Sequence, residues 1–197
     1  MHSRQARALR AAALGCALSL AACATQAFEL ADLAAARQRV TASAARFHEI
    51  RHIATLAAPI ERSGTLSYRR PDHLAMSVVT PQPEELVIDG NTLRVSTPKG
   101  ERTVALDSEP ALLAWTESLR ATLAGDVTAL SKYFVPVLSG DAGGWKLALV
   151  PRDPVLHAQI AVIVIEGAGD ALRRVEVRET GGDDAVMDIT PMPVPAQ

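Results

Sequence analysis

The chain has 197 residues, of which 48% are hydrophobic, 21% charged and only 4% aromatic. That length supplies one domain with a real core and no more. The formal net charge of -2, with no long run of one sign, gives no phosphate-tracking surface, so nucleic acid is set aside as a partner.

Residues 1–23 have the form of a secretory signal. "MHSRQARALR" is basic, "AAALGCALSLAA" is a short apolar run, and small residues follow. The run falls short of the roughly 20 apolar residues that a bilayer span needs. The later stretch "AQIAVIVIEGA" reads as a buried strand, so the expectation is an exported, periplasmic protein without a transmembrane helix. Two readings of the cleavage site compete. Leu20-Ala21-Ala22-Cys23 fits a lipobox, which would make Cys23 the lipidated N-terminus, and the non-acidic Ala24 after it favours an outer-membrane anchor. Ala22-x-Ala24 and Thr25-x-Ala27 would instead release a soluble protein. Cys16 lies inside the apolar run and leaves with it, so no disulfide forms within one mature chain. Packing alone must stabilise the fold.

After the signal, Leu30, Leu33, Arg37, Val40, Ala44 and Phe47 recur at helical spacing and predict a helix from about 29 to the mid-forties. The period then changes. Leu66/Tyr68, Leu74/Met76/Val78, Leu93/Val95 and Trp145/Leu147/Leu149 alternate as strands do when one face is buried. "APIERSG", "RRPD", "TPQPEE", "DGN" and "TPKGE" between them have turn chemistry, and the short spacing predicts antiparallel hairpins. One helical excursion interrupts. Ser108 is a candidate cap, Pro110 suits the first turn, Leu112, Trp115, Leu119 and Leu123 form an apolar stripe, and Gly125 stops it. Asp126 can cap a second short helix through Phe134. Strands are expected again at about 145–150, 158–166, 172–178 and 185–190. The expected class is α+β, with one domain over 28–191 and a Pro-rich tail over 192–197.

"HEIRH" at 48–52 matches H-E-x-x-H, which on a helix places two histidines on one face to share a zinc ion, with the glutamate as base. A third ligand is lacking in the metzincin frame, where Thr55 and Ala58 stand. Glu85-x-x-x-Asp89 gives a gluzincin-like spacing, but on a strand-turn-strand segment. If 46–53 is a strand, the histidines sit ~13 Å apart and cannot chelate one ion. A zinc protease is therefore the lesser reading. No G-x-S-x-G elbow or Gly-rich phosphate loop is present, and Glu84-Glu85 and Asp183-Asp184 fall in turn regions. The expectation is a protein that is not an enzyme and needs no cofactor or metal.

Gly64-x-Leu66-x-x-Arg69-Arg70-Pro71, followed by "TPQPEELVIDGNTLRV", resembles the LolA family of periplasmic lipoprotein carriers. The order of signal, N-terminal helix, strands, central helices and final strands agrees along most of the mature chain. The resemblance implies a half-open antiparallel β-barrel whose concave face is plugged by helices around an apolar cavity. It further implies a non-enzymatic carrier, or a tethered acceptor, of lipoprotein or other acyl cargo, working between an inner-membrane donor and an outer-membrane acceptor. Shielding matters because each CH₂ held out of water is worth ~0.8 kcal/mol. Leu66, Tyr68, Met76, Val78, Leu93, Trp115 and Leu119 are the implied cargo contacts. Arg70 matches the family arginine that latches the helical lid, while Arg69 reads as a solvated strand end. Ser67, Leu74 and Met76 depart from the family's aromatic strands and imply a softer pocket. An envelope lipoprotein that binds a partner protein is the remaining alternative; it predicts a filled core and an exposed patch in place of a cavity.

Overall fold

The computed structural model describes residues 28–194. Cys23, the signal segment and residues 195–197 lie outside the described residues. Helix α1 (Leu30–Gln38) opens on a reciprocal cap between Glu29 and Asp32. It is followed by strands β1 (Ala42–His52), β2 (Ile60–Arg69), β3 (His73–Thr80), β4 (Glu84–Asp89), β5 (Thr92–Thr97) and β6 (Gly100–Ala105). A 3-10 turn over Leu106–Ser108 leads into helices α2 (Pro110–Ala124) and α3 (Val127–Tyr133). The chain then forms β7 (Phe134–Asp141), β8 (Gly144–Pro151), the short α4 (Pro154–His157), β9 (Ile160–Ala168), β10 (Ala171–Glu179) and β11 (Asp184–Met192).

All strands join one 11-stranded sheet in the order β6-β5-β4-β3-β2-β1-β11-β10-β9-β8-β7. Every described pairing is antiparallel, and the sheet does not close, since β6 and β7 are its two edges. The first and last strands meet in the middle, with Phe47 opposite Ile189 and Ala45 opposite Pro191. Helices α2 and α3 connect the two edges in sequence and pack on the concave face, where the core lies. This is the α+β class read from the residues, in the half-open barrel plugged by helices that the resemblance implies.

Several local expectations are corrected. The N-terminal helix stops at Gln38, and Ala44 and Phe47 lie in β1. From Ala45 onward the buried positions alternate, and β2 and β11 pair with β1 on both sides; the sheet overrides a helical spacing that Ala-rich sequence mimics easily. Ile60–Gly64, expected in a turn, belong to β2. Ser108 does not cap α2: its hydroxyl donates to the Ala105 carbonyl at 2.7 Å, and Glu109 precedes the helix. Asp126 does cap α3, accepting from the Ala129 amide at 2.9 Å, but Phe134 begins β7 and is not helical. Strand β11 runs past the expected 185–190, so Met192, assigned to the tail, pairs with Ala44.

Two glycines hold close approaches. A Cβ on Gly64 would collide with the Ser77 carbonyl oxygen, at a register shift between β2 and β3. Gly125 ends α2 at φ +69°, and a Cβ there would meet the Ala34 carbonyl of α1.

Candidate functional site

"HEIRH" lies in β1, so the helical geometry that a zinc site needs is not present. His48 and His52 point to the convex face, His48 to Glu61 at 3.5 Å and His52 to Asp184 at 3.2 Å. Among the described residues no group of three His, Cys, Asp or Glu side chains could hold a metal ion.

The concave face holds a different feature, an apolar cavity of about 370 Å³ between the sheet and α2. Pockets for drug-sized ligands span ~300–1,000 Å³, so there is room for an organic guest. Alternation on the strands builds the floor: Ala45 on β1, Leu66 and Tyr68 on β2, Leu74 and Met76 on β3, Leu86 and Ile88 on β4. Met187 and Ile189 of β11 extend it, and Val175 of β10 closes that side. The roof is Trp115, Leu119 and Leu123, one stripe of α2 at i, i+4 and i+8. Five of the cargo contacts implied by sequence therefore face one space: Leu66, Tyr68, Met76, Trp115 and Leu119.

Val78 and Leu93 do not line it. Leu93 is sealed in the core with Ile88 and Leu106, and Val78 is buried one row beyond Met76 on β3. Leu112 packs on the core without reaching the cavity. The inward row of β1 passes Phe47 and ends ionic: Glu49 accepts from Arg62 at 3.2 Å, and Arg62 also reaches Glu84 at 2.8 Å. Buried charge of this kind stands only because it is paired.

Arg70 fastens the roof. Its Nη2 donates to the Ala124 carbonyl at the end of α2 at 2.6 Å, and to the α1 carbonyls of Arg37 and Gln38 at 3.4 and 3.3 Å. Its Nε donates to the Val40 carbonyl at 3.0 Å. The unpaired carbonyls of a helix C-terminus attract a cation, and the guanidinium fork reaches several at once. Arg69 is exposed and makes no side-chain hydrogen bond among the described residues.

Sequence reasoning missed two further guanidiniums on the same helix. Arg37 of α1, named above only for its helical spacing, is buried and donates through Nε and Nη2 to the Leu123 carbonyl at 3.2 and 3.0 Å, and through Nη1 to the Asp170 carbonyl. Burial lowers its pKa, opposed chiefly by Asp170. Arg120, on α2 itself, donates to the Asp72 and Gly90 carbonyls of two hairpin turns at 3.0 and 2.6 Å. An arginine at a helical stripe position carries no mark of which carbonyls it will find, so only the fold reveals these ties.

A family model described as "Outer membrane lipoprotein carrier protein LolA-like" matches residues 22–189. Among curated proteins none matches the chain by sequence. Solved structures with similar folds include a LolA superfamily protein from Nitrosomonas europaea, 9% identical, covering 86% of this chain and 95% of that one with a TM-score of 0.42. A putative outer membrane lipoprotein-sorting protein domain from Vibrio parahaemolyticus is 12% identical, with 87% and 94% covered and a TM-score of 0.43. The Pseudomonas aeruginosa MucA/MucB complex contains a chain 14% identical, with 85% and 57% covered and a TM-score of 0.46. With the family model spanning nearly all of the described residues, this chain belongs to the LolA-like family of outer membrane lipoprotein carrier proteins.

Proposed function

We propose that the protein is a non-enzymatic carrier, or an outer-membrane-tethered acceptor, of lipoprotein or other acyl cargo in the periplasm. The observation that supports this most directly is the cavity, roofed by a helix that is held down through arginine-to-carbonyl bonds. A hydrocarbon chain placed there leaves water at ~0.8 kcal/mol per CH₂. Its neighbours would be Leu66, Met76, Trp115 and Leu119, and Met76 with Met187 gives the floor room to adapt. Arg70 acts as a releasable latch: it holds α2 closed by hydrogen bonds and not by a salt bridge, so opening leaves no buried carboxylate unpaired. The cavity also favours a carrier over a purely partner-binding lipoprotein, for which a filled core was the expectation.

Cys23 is proposed as the lipid anchor. The test is to isolate wild-type and Cys23→Ala protein from membrane and soluble fractions and identify co-extracted lipid by mass spectrometry. Membrane-bound wild type, soluble Cys23→Ala, and stoichiometric acyl-bearing lipid on both are expected. Soluble wild type would remove the anchor. Lipid-free protein that also takes up no acyl probe would remove the carrier.

A further inference from the structure

The cavity wall is chemically lopsided. Most of it is carbon, but Arg37, Ser43 and Tyr68 are among the residues that border it. Ser43 and Tyr68 are direct partners across the β1–β2 pair, which fixes them side by side. Arg37 and Tyr68 are each only 3% exposed. The hydroxyl of Tyr68 is shut off from solvent and has no hydrogen-bond partner.

That orphan needs a reason. A buried hydroxyl without a partner costs the fold its full desolvation penalty, and phenylalanine would supply the same ring without it. The nearby charges say what kind of partner fits. Arg70 and Arg37 both act electrostatically on the phenol, yet burial outweighs them and keeps its pKa above the ordinary value. The phenol therefore stays protonated and can donate. Arg37 donates through Nε and Nη2 to the Leu123 carbonyl and through Nη1 to the Asp170 carbonyl, which leaves one further N–H on each Nη. Donors without acceptors, beside positive charge, call for an oxygen that accepts.

We propose that Arg37, Ser43 and Tyr68 form a recognition site for the polar junction of an acyl chain. A carbonyl or carboxylate oxygen accepts from the Tyr68 hydroxyl, while the hydrocarbon lies against Leu66, Met76 and Leu119. This rests on the carrier reading above and deepens it: the site reads the oxygen at the head of the acyl chain as well as its hydrocarbon. Carboxylates and esters share the accepting carbonyl oxygen, and the experiment separates them.

Delipidated mature protein, wild type and Tyr68→Phe, is titrated with N-phenylnaphthylamine, an apolar fluorophore that has no carbonyl. Palmitate and palmitoyl lysophosphatidylcholine are then used to displace it. Tyr68→Phe should weaken one or both acyl competitors by about fivefold or more, the weight of one hydrogen bond. Binding of the fluorophore itself should not change. Loss confined to palmitate places a carboxylate at the site, and a comparable loss for both places an ester or acid carbonyl there. The denaturation midpoint of Tyr68→Phe should equal or exceed that of wild type, because no bond is lost. A lower midpoint would mean that the hydroxyl is satisfied within the fold, which overturns the proposal. Unchanged acyl affinities with the fluorophore still bound overturn the recognition site and leave the carrier standing. A wild type that binds no fluorophore and no palmitate overturns both.

Discussion

On β7, β8 and β9 the inward row includes Phe134, Trp145, Leu147, Leu149, Ile163 and Ile165, all sealed from solvent. On β2, β3 and β4 the matching row includes Leu66, Met76 and Leu86, which stay half-buried around a cavity. Both halves of the sheet use the same alternation. The difference lies in what fills the space between. Phe134 and Trp145 are bulky, Leu130 of α3 and Leu156 of α4 pack into that side, and a Cβ on Gly167 would strike the Trp145 ring. The other half, with Ala45 of β1 beside it, offers unbranched Met76 to α2 across the cavity. One half resembles a close-packed interior, and the other is left underfilled where a guest would sit.

Truncation should separate the halves. Phe134→Ala removes a fully buried ring from the filled side and should cost about 3–5 kcal/mol by chemical denaturation. A cost near 1 kcal/mol would mean that this side is as loose as the other. Arg70→Leu should cost about 1.5–3 kcal/mol, the weight of hydrogen bonds from a charged group. Its sharper readout is kinetic: if closing the roof drives cargo out, an unlatched roof keeps cargo bound, and a loaded fluorescent acyl ligand should pass to acceptor vesicles more slowly than from wild type. Arg69→Leu should transfer at the wild-type rate. Equal rates for Arg70→Leu and wild type would remove the latch. Leu66→Ala should change stability least, by about 1 kcal/mol or less, because its side chain already borders empty space. It should nevertheless weaken acyl binding severalfold. A large stability loss there with unchanged binding would invert the comparison.

Much of this was legible in the sequence, and the parts that were not share a cause. The strands with one buried face, such as Leu74/Met76/Val78 and Trp145/Leu147/Leu149, announced themselves by alternation. The strands that the sequence leaves unannounced altogether are β6 and β7, the two edges. An edge strand is covered on fewer sides, so its pattern blurs: in β6 only Val104 is even half-buried. β7 carries Pro136, and a proline is tolerated on an edge, where its missing N–H leaves no partner unsatisfied. Within the site, Arg70 was named from its place before Pro71, whereas Arg37 passed as one more member of an Ala-rich helix. Val78 and Leu93 were assigned to the cavity because alternation tells which face a residue is on, but not how far along that face the void extends.

The meeting of β1 with β11 has a bearing on how the chain is made. Residues 42–52 must wait for residues 184–192 before the sheet is joined across its middle. A chain made from its N-terminus therefore exposes β1 as a temporary edge until residues 184–192 have emerged. Late closure of so long a loop slows completion of the sheet, which keeps the emerging chain pliable. The same delay leaves an unpaired, partly apolar strand open to wrong partners. Truncation within β11 would make that interim edge permanent.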